Sequence, residues 1–397
     1  VHNERTGEGS RSRWIGTDEV AQRLGVRPAT VYAYVSRGLL ASRRAPGVRG
    51  SLFDRVQVDR LATGGRRAAG DLRRVHRFRS VATAVSHSSQ DGLHYHGLEV
   101  AQWSLGRTWE DGVELLLGVR PGRQPPPRLH DADLAALASV PLDRRVAGTV
   151  GRLAERGWGR STDPAAAAAA ALVPTLVAAM AGPRALPGAG RLAEQLVVNL
   201  RGREATGAEA DALDQVLLQL LDHGLTASTT ATRAAASARA GIADCLLAGY
   251  AALAGSAHGA ASAVVHRTLL QEVEHPGSVP PSGIPPAGFG HFLYVDGDPR
   301  ADVALAAMAR IPAAGPALGA LERLRSRLPE ETRCEPNIDG ALAVATVTLG
   351  VPAEAGPALF ALARTAGLAA HAIEEYQEDL LRWRGRAATR AGSPPPR

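Results

Sequence analysis

The chain has 397 residues, 45% hydrophobic and 21% charged, enough apolar mass for a large core, which excludes both wholesale disorder and a disulfide-stapled mini-protein. All 45 positive charges are arginines, and two cysteines, Cys245 and Cys334, can supply neither a disulfide framework nor a cysteine-rich metal site. The net charge of +6 is unevenly placed: residues 1–80 carry 17 arginines against 7 acidic residues, and the rest carries 28 against 32.

Residues 1–13 read as a flexible N-terminus without the apolar run of a secretory signal, so a cytoplasmic protein is expected. Thr17 starts a helix as an N-cap followed by Asp18 and Glu19, whose charges suit the helix dipole. Val20, Ala21 and Leu24 form its apolar face and Gly25 ends it. Pro28 opens a second helix carrying Val31 and Val35. A basic, turn-rich hairpin follows Leu39 and Leu40, and Phe53 with the run Asp54 to Leu61 is expected to complete a third helix.

Residues 14–61, with TDEVAQRLGVRPATVYAYVSRGLL, a basic turn and FDRVQVDRL, resemble the winged helix-turn-helix domain of the MerR and excisionase class. The resemblance implies a second helix in the major groove of double-stranded DNA, with Arg27, Thr30, Tyr32 and Arg37 near the DNA and Arg43, Arg44 and Arg49 on phosphates. A solvated arginine-rich arm, or a small helical domain that docks on the body, are the alternatives.

Residues 62–79, rich in Gly and Arg, read as a linker. Beyond residue 80 apolar residues recur at helical spacing, as in Leu192, Leu196 and Leu200, while strand-like alternation is nearly absent; a mainly α body is expected. Pro and Gly clusters at 121–128, 183–190, 276–290 and 350–357 punctuate it. The alanine-rich stretch from Ala165 to Gly182 approaches the length of a membrane span, but its composition and Pro174 favour a buried core helix, and no membrane partner is expected.

Four segments carry candidate chemistry: LLDHGLTAST with His223, AGSAHGAAS with His258, PAGFGHFLYVDGDPRAD with His291 and Arg300, and EPNIDGA with Asp339. The glycines beside these histidines suggest backbone that a ligand can approach closely. No short His or Cys spacing typical of zinc is present, so no metal is expected, and the G-x-S-x-G elbow of a serine hydrolase is missing.

These segments resemble, in order, DHELNAST, GPLHGGAN, GFGHRVYKNYDPRA and PNVDFYSG of citrate synthases, and LFALARTAGLAAHAIEE at 359–375 resembles the helix that follows, including Arg364. The resemblance spans about 80–386 and implies the two-domain, all-helical citrate synthase fold over 80–397, with a large domain at about 80–258 and 355–390 and a small one at about 259–354. It implies condensation of acetyl-CoA or propionyl-CoA with oxaloacetate, the acyl-CoA being a co-substrate and no cofactor staying bound. By the same resemblance Asp339 is the base, His258 donates to the thioester oxygen and His291 polarises the ketone. His223, Arg300 and Arg364 bind the 2-oxo acid, and Arg382 is the arginine lent by the second subunit of a homodimer. Phe292 and Val295 replace positive residues of the family pattern, so altered CoA handling is expected. His371 is expected to pack structurally. The competing function is a transcription regulator that uses the synthase-like body as a metabolite sensor.

Overall fold

The structure, a computed structural model, describes residues 14–24, 31, 40, 42–43, 51–63, 81–89, 92–163, 165–181, 190–255, 258–280, 286–291, 293–294, 296–328 and 334–384. Near the N-terminus, β1 (Trp14–Gly16), β2 (Ser42–Arg43) and β3 (Leu52–Asp54) form an antiparallel sheet in the order β1-β3-β2. A helix at Thr17–Leu24 starts where its acidic first turn predicts, and Gly25, expected to end it, lies outside the described residues. The expected third helix is shifted: Phe53 and Asp54 end β3, and the helix runs Arg55–Thr63. Asp54 is a starter rather than a helical residue, its carboxylate accepting the Val56 N–H at 2.8 Å. The helix therefore continues into the first two residues assigned to the linker; 64–79 lie outside the described residues. Arg23 ties the two helices through Glu19 at 2.9 Å and Asp59 at 2.8 Å. Ile15, Val20, Ala21, Val31, Leu40, Phe53 and Val58 make a core of their own, separate from that of the body.

The body is mainly helical, with a small sheet among the described residues that the periodicity did not foretell: β4 (Ser86–Ser89), β5 (Gly92–Tyr95) and β6 (Leu98–Glu99), antiparallel in chain order. These strands are too short and too polar for alternation to register. The sheet braces a loop that matters below: the buried Tyr95 hydroxyl lies 3.2 Å from the Leu218 and Asp222 carbonyls and accepts the Asp222 N–H at 3.1 Å.

The helix Ala355–Glu375 is buried along almost its whole length, as expected of a helix apolar on every side. Around it pack Leu142–Glu155, Ala165–Ala181, Ala227–Ser237 and Ile242–Leu253. The alanine-rich Ala165–Ala181 is a largely buried helix with Pro174 inside it, and among the described residues no single helix is long and apolar enough to cross a membrane. A second group, Ala261–Glu274, Pro299–Met308, Gly315–Ser326 and Ile338–Thr348, packs mutually. Its helices begin next to the candidate residues: Asp298 caps Pro299–Met308 and Asn337 caps Ile338–Thr348.

Candidate active site

The loop after Gly207–Leu218 is held by a fully buried carboxylate. Asp222 accepts from the Ser86 hydroxyl, from the Gly224 N–H at 2.9 Å and from His371 Nε2 at 3.1 Å. Burial would raise its pKa, but His371, Arg364 and Ser86 outweigh that and hold it at about 2. Next to this anchor, His223 turns its Nε2 to the Tyr294 hydroxyl at 2.9 Å and sets its ring edge-on to His291 at 5.3 Å. His371 is structural, as expected: it is fully buried and, besides Asp222, contacts Arg233 Nη1 through Nδ1 at 2.8 Å.

His258 sits in the turn before Ala261–Glu274, its Nε2 2.9 Å from the Ser228 hydroxyl, so two of the predicted segments meet there. Its ring approaches Phe360 edge-on at 6.1 Å. His291 lies on a strap zipped to the Asp339 turn. The Gly290 N–H donates to Glu335 O at 2.8 Å, the Asn337 N–H to Gly288 O at 2.9 Å, and Asn337 Nδ2 to Gly290 O at 2.9 Å. This revises the reading of the glycines. A Cβ on Gly288, where φ is +92°, would stand 2.7 Å from a Val265 methyl, and one on Gly340 would stand 2.7 Å from Gly288 O. Their smallness serves the meeting of two chain segments rather than a ligand's approach. Leu293 and Tyr294 donate their N–H groups to His291 Nδ1 at 3.2 and 3.4 Å, which places the ring proton on Nε2.

Asp298 grips Arg300 with both oxygens, at 2.9 Å to Nε and 2.8 Å to Nη2, and also accepts the Ile338 N–H at 3.0 Å. The adjacent Asp339 is half-buried, with its Oδ1 atom buried and unpartnered among the described residues. Burial, with Asp298 adding, pushes its pKa up to about 6 against the pull of Arg300 and Arg364. Arg364, on the central helix, donates from Nε to Leu220 O at 2.8 Å and rests over the Phe360 ring at 4.8 Å, leaving Nη1 buried and unpartnered among the described residues. Burial lowers all three histidines, His258 and His291 to about 4 and His223 well below its ordinary value, with Arg300 or Arg364 adding to each shift.

Six predicted residues thus converge: His223, His258, His291, Arg300, Asp339 and Arg364. Arg382 does not join them; it pairs with Glu375 at 2.5 and 2.6 Å and with Glu378 at 3.0 Å. Arg27, Thr30, Tyr32, Arg37, Arg44 and Arg49 lie outside the described residues, as do Phe292 and Val295, and Arg43 is described only as backbone of β2. Tyr294, Asp298 and Asn337 were missed; only the N-cap chemistry of Asp298 before Pro299 and of Asn337 before the Ile338 helix offered a local signal. Chemically, the cluster combines a carboxyl group able to exchange a proton near neutrality, uncharged imidazoles that can donate to an oxygen gaining negative charge, and two buried guanidinium groups suited to carboxylates.

The family model for the citrate synthase C-terminal domain matches residues 149–384. The chain belongs to the citrate synthase family. Among curated relatives, the citrate synthase of Haloferax volcanii is 30% identical over 196 residues, 46% of this chain and 51% of that protein. The putative citrate synthase 2 of Mycobacterium tuberculosis is 35% identical over 178 residues, 42% and 47% of the two chains. The chain therefore spans about half the length of the curated relatives it matches. In fold it is similar to the citrate synthase of Thermoplasma acidophilum, solved as a ternary complex with carboxymethyl coenzyme A and oxaloacetate (TM-score 0.66, 23% identity, 82% of this chain and 97% of that one). The Pyrobaculum aerophilum enzyme is similar at TM-score 0.65 and 21% identity, covering 90% of this chain and 95% of that one. The citrate synthase fold thus reaches over more of the chain than the family model does.

Proposed function

We propose that the protein condenses an acyl-CoA, acetyl-CoA or propionyl-CoA, with oxaloacetate and hydrolyses the resulting thioester to citrate or 2-methylcitrate and CoA. The observation that carries this reading is the pair of open, buried valences, Asp339 Oδ1 and Arg364 Nη1, in a cluster with neutral histidines. Buried polar atoms without partners are costly, and a carboxylate guest beside Arg364 and an acidic C–H beside Asp339 would answer both.

In this mechanism Asp339 takes the α-proton of the thioester while His258 donates to the oxygen that gains charge. The thioester α-carbon then attacks the ketone carbon of oxaloacetate, whose oxygen accepts from His291 Nε2–H. A carbon–carbon bond forms, the ketone becomes an alcohol, and water then cleaves the thioester and releases CoA as a thiol. Arg300, Arg364 and His223 hold the two carboxylates, and the mutually packed helix group within 259–354 acts as the small domain closing over them. Homodimerisation with Arg382 reaching a partner's site would require it to leave Glu375. Thiol release from either acyl-CoA with oxaloacetate tests the reading; a rate no higher than that of Asp339→Ala rejects it.

The separate N-terminal core and the concentration of arginines in residues 1–80 favour a second, compatible role: a winged helix-turn-helix appendage binding double-stranded DNA, and in the regulator form a synthase-like body sensing metabolites. Affinity for genomic fragments should fall steeply with salt and exceed that for random duplex. Equal affinity for every duplex would reduce this segment to a basic arm.

A further inference from the structure

The bond between the Tyr294 hydroxyl and His223 Nε2, 2.9 Å long, is the one hydrogen bond that either side chain makes among the described residues. Burial keeps His223 uncharged, and it pushes the phenol up to about 12 against the pull of Arg300, so a single proton lies between the two atoms. A phenol O–H is a stronger donor than a neutral imidazole N–H, and an imidazole lone pair is a stronger acceptor than a phenol oxygen. The Arg300 guanidinium, 5.3 Å from the centre of the Tyr294 ring, strengthens the phenol as a donor further. With Nε2 accepting, the ring proton of His223 must sit on Nδ1.

We propose that Tyr294 is a positioning residue whose hydroxyl donates to His223 Nε2 and fixes His223 as the neutral Nδ1–H tautomer, the form that offers an N–H to a carboxylate or keto oxygen of a bound 2-oxo acid. The identity of that guest rests on the synthase reading; the tautomer does not. The same ring stacks on His291 at 4.8 Å and 27°, so Tyr294 also backs the second histidine. Tyr294→Phe removes the hydroxyl and keeps the stack, which separates the two contributions.

The test uses the full chain with 15N-labelled histidine, His223 being assigned by the signals lost in His223→Gln. The ring nitrogens of wild-type His223 should report the Nδ1–H form without any substrate. In Tyr294→Phe they should move toward the Nε2–H form, with the thermal midpoint lowered only by the loss of one buried hydrogen bond. In synthase assays the KM for oxaloacetate should rise about tenfold with kcat within about twofold, the loss of one hydrogen bond to the bound guest. An Nε2–H signal in the wild type overturns the proposal even if the variant does not fold. An unchanged tautomer in Tyr294→Phe, or an altered tautomer with unchanged KM, also overturns it. A wild type with the expected tautomer and no thiol release would retire the synthase reading and leave the tautomer assignment standing.

Discussion

Arg233 Nη1 lies 2.8 Å from His371 Nδ1, and because a guanidinium can only donate, that contact fixes the proton of His371 on Nε2, from which it is given to Asp222. The chain of contacts continues from Arg233 to Glu374 and, at 2.8 Å, to the fully buried Glu375, which also holds Arg382 and the Trp383 indole. The loop that carries His223 is thereby connected to the turn that follows the central helix.

His371→Leu deletes an acceptor for Arg233 and a donor for Asp222 at once, where all three side chains are fully buried. Urea unfolding should show a loss of about 3 kcal/mol. A loss below about 1 kcal/mol would mean that the contacts add little beyond packing.

Stability against pH has opposing contributions with determinable signs. The raised pKa of Asp339 means that, between its ordinary 3.8 and about 6, the folded state binds more protons than the unfolded one; this group costs stability as pH rises through that window. The lowered pKa values of His258 and His291, about 4 against 6.5, act the other way, and their contribution is lost as pH falls from 6.5 toward 4. Asp339→Asn removes only the first effect. Thermal midpoints measured from pH 4 to 6.5 should therefore rise more steeply with pH in this variant than in the wild type, and a shallower rise would contradict the buried-carboxyl assignment. Thiol release in the variant should fall at least about a hundredfold, as for loss of a general base.

Gly288→Ala places a methyl 2.7 Å from a Val265 methyl, at a backbone angle that side chains rarely adopt. Destabilisation of about 1–3 kcal/mol is expected from chemical denaturation. Val265→Ala in the same chain should recover only the steric part, because the backbone strain persists.

Arg364→Met should weaken both stability and binding. Although Nη1 is unpartnered, Nε holds the Leu220 carbonyl and the charge supports the buried Asp222 carboxylate, so the variant should lose about 1–3 kcal/mol without ligand. Calorimetric affinity for oxaloacetate should fall at least about thirtyfold, the weight of a charge-assisted hydrogen bond and its ion pair. A lower midpoint with unchanged affinity would assign Arg364 to the core alone.

What could be read from the chain depended on how local each cause was. Asp18 and Glu19 after Thr17 wrote their helix start into neighbouring residues, and that boundary held. His223, His258, His291, Arg300 and Asp339 stand in compact motifs whose resemblance to citrate synthases survives isolated changes, and the fold brings them together with Arg364. Tyr294 was overlooked because its meaning comes from an imidazole 71 positions earlier. The glycines beside the histidines were assigned to ligand access because the Val265 methyl that needs the room at Gly288 lies outside that motif. Strands of two to four residues such as β4–β6 hold less than the span over which a twofold rhythm can be told from chance.

The two-handed grip of Asp298 on Arg300, together with its bond to the Ile338 N–H, makes the beginnings of two helices one solid fitting. Arg300 and the start of the helix carrying Asp339 are thus held together. Movement of these two helices as a unit would leave their spacing alone, so Arg300 and Asp339 keep their register whatever the surrounding helices do.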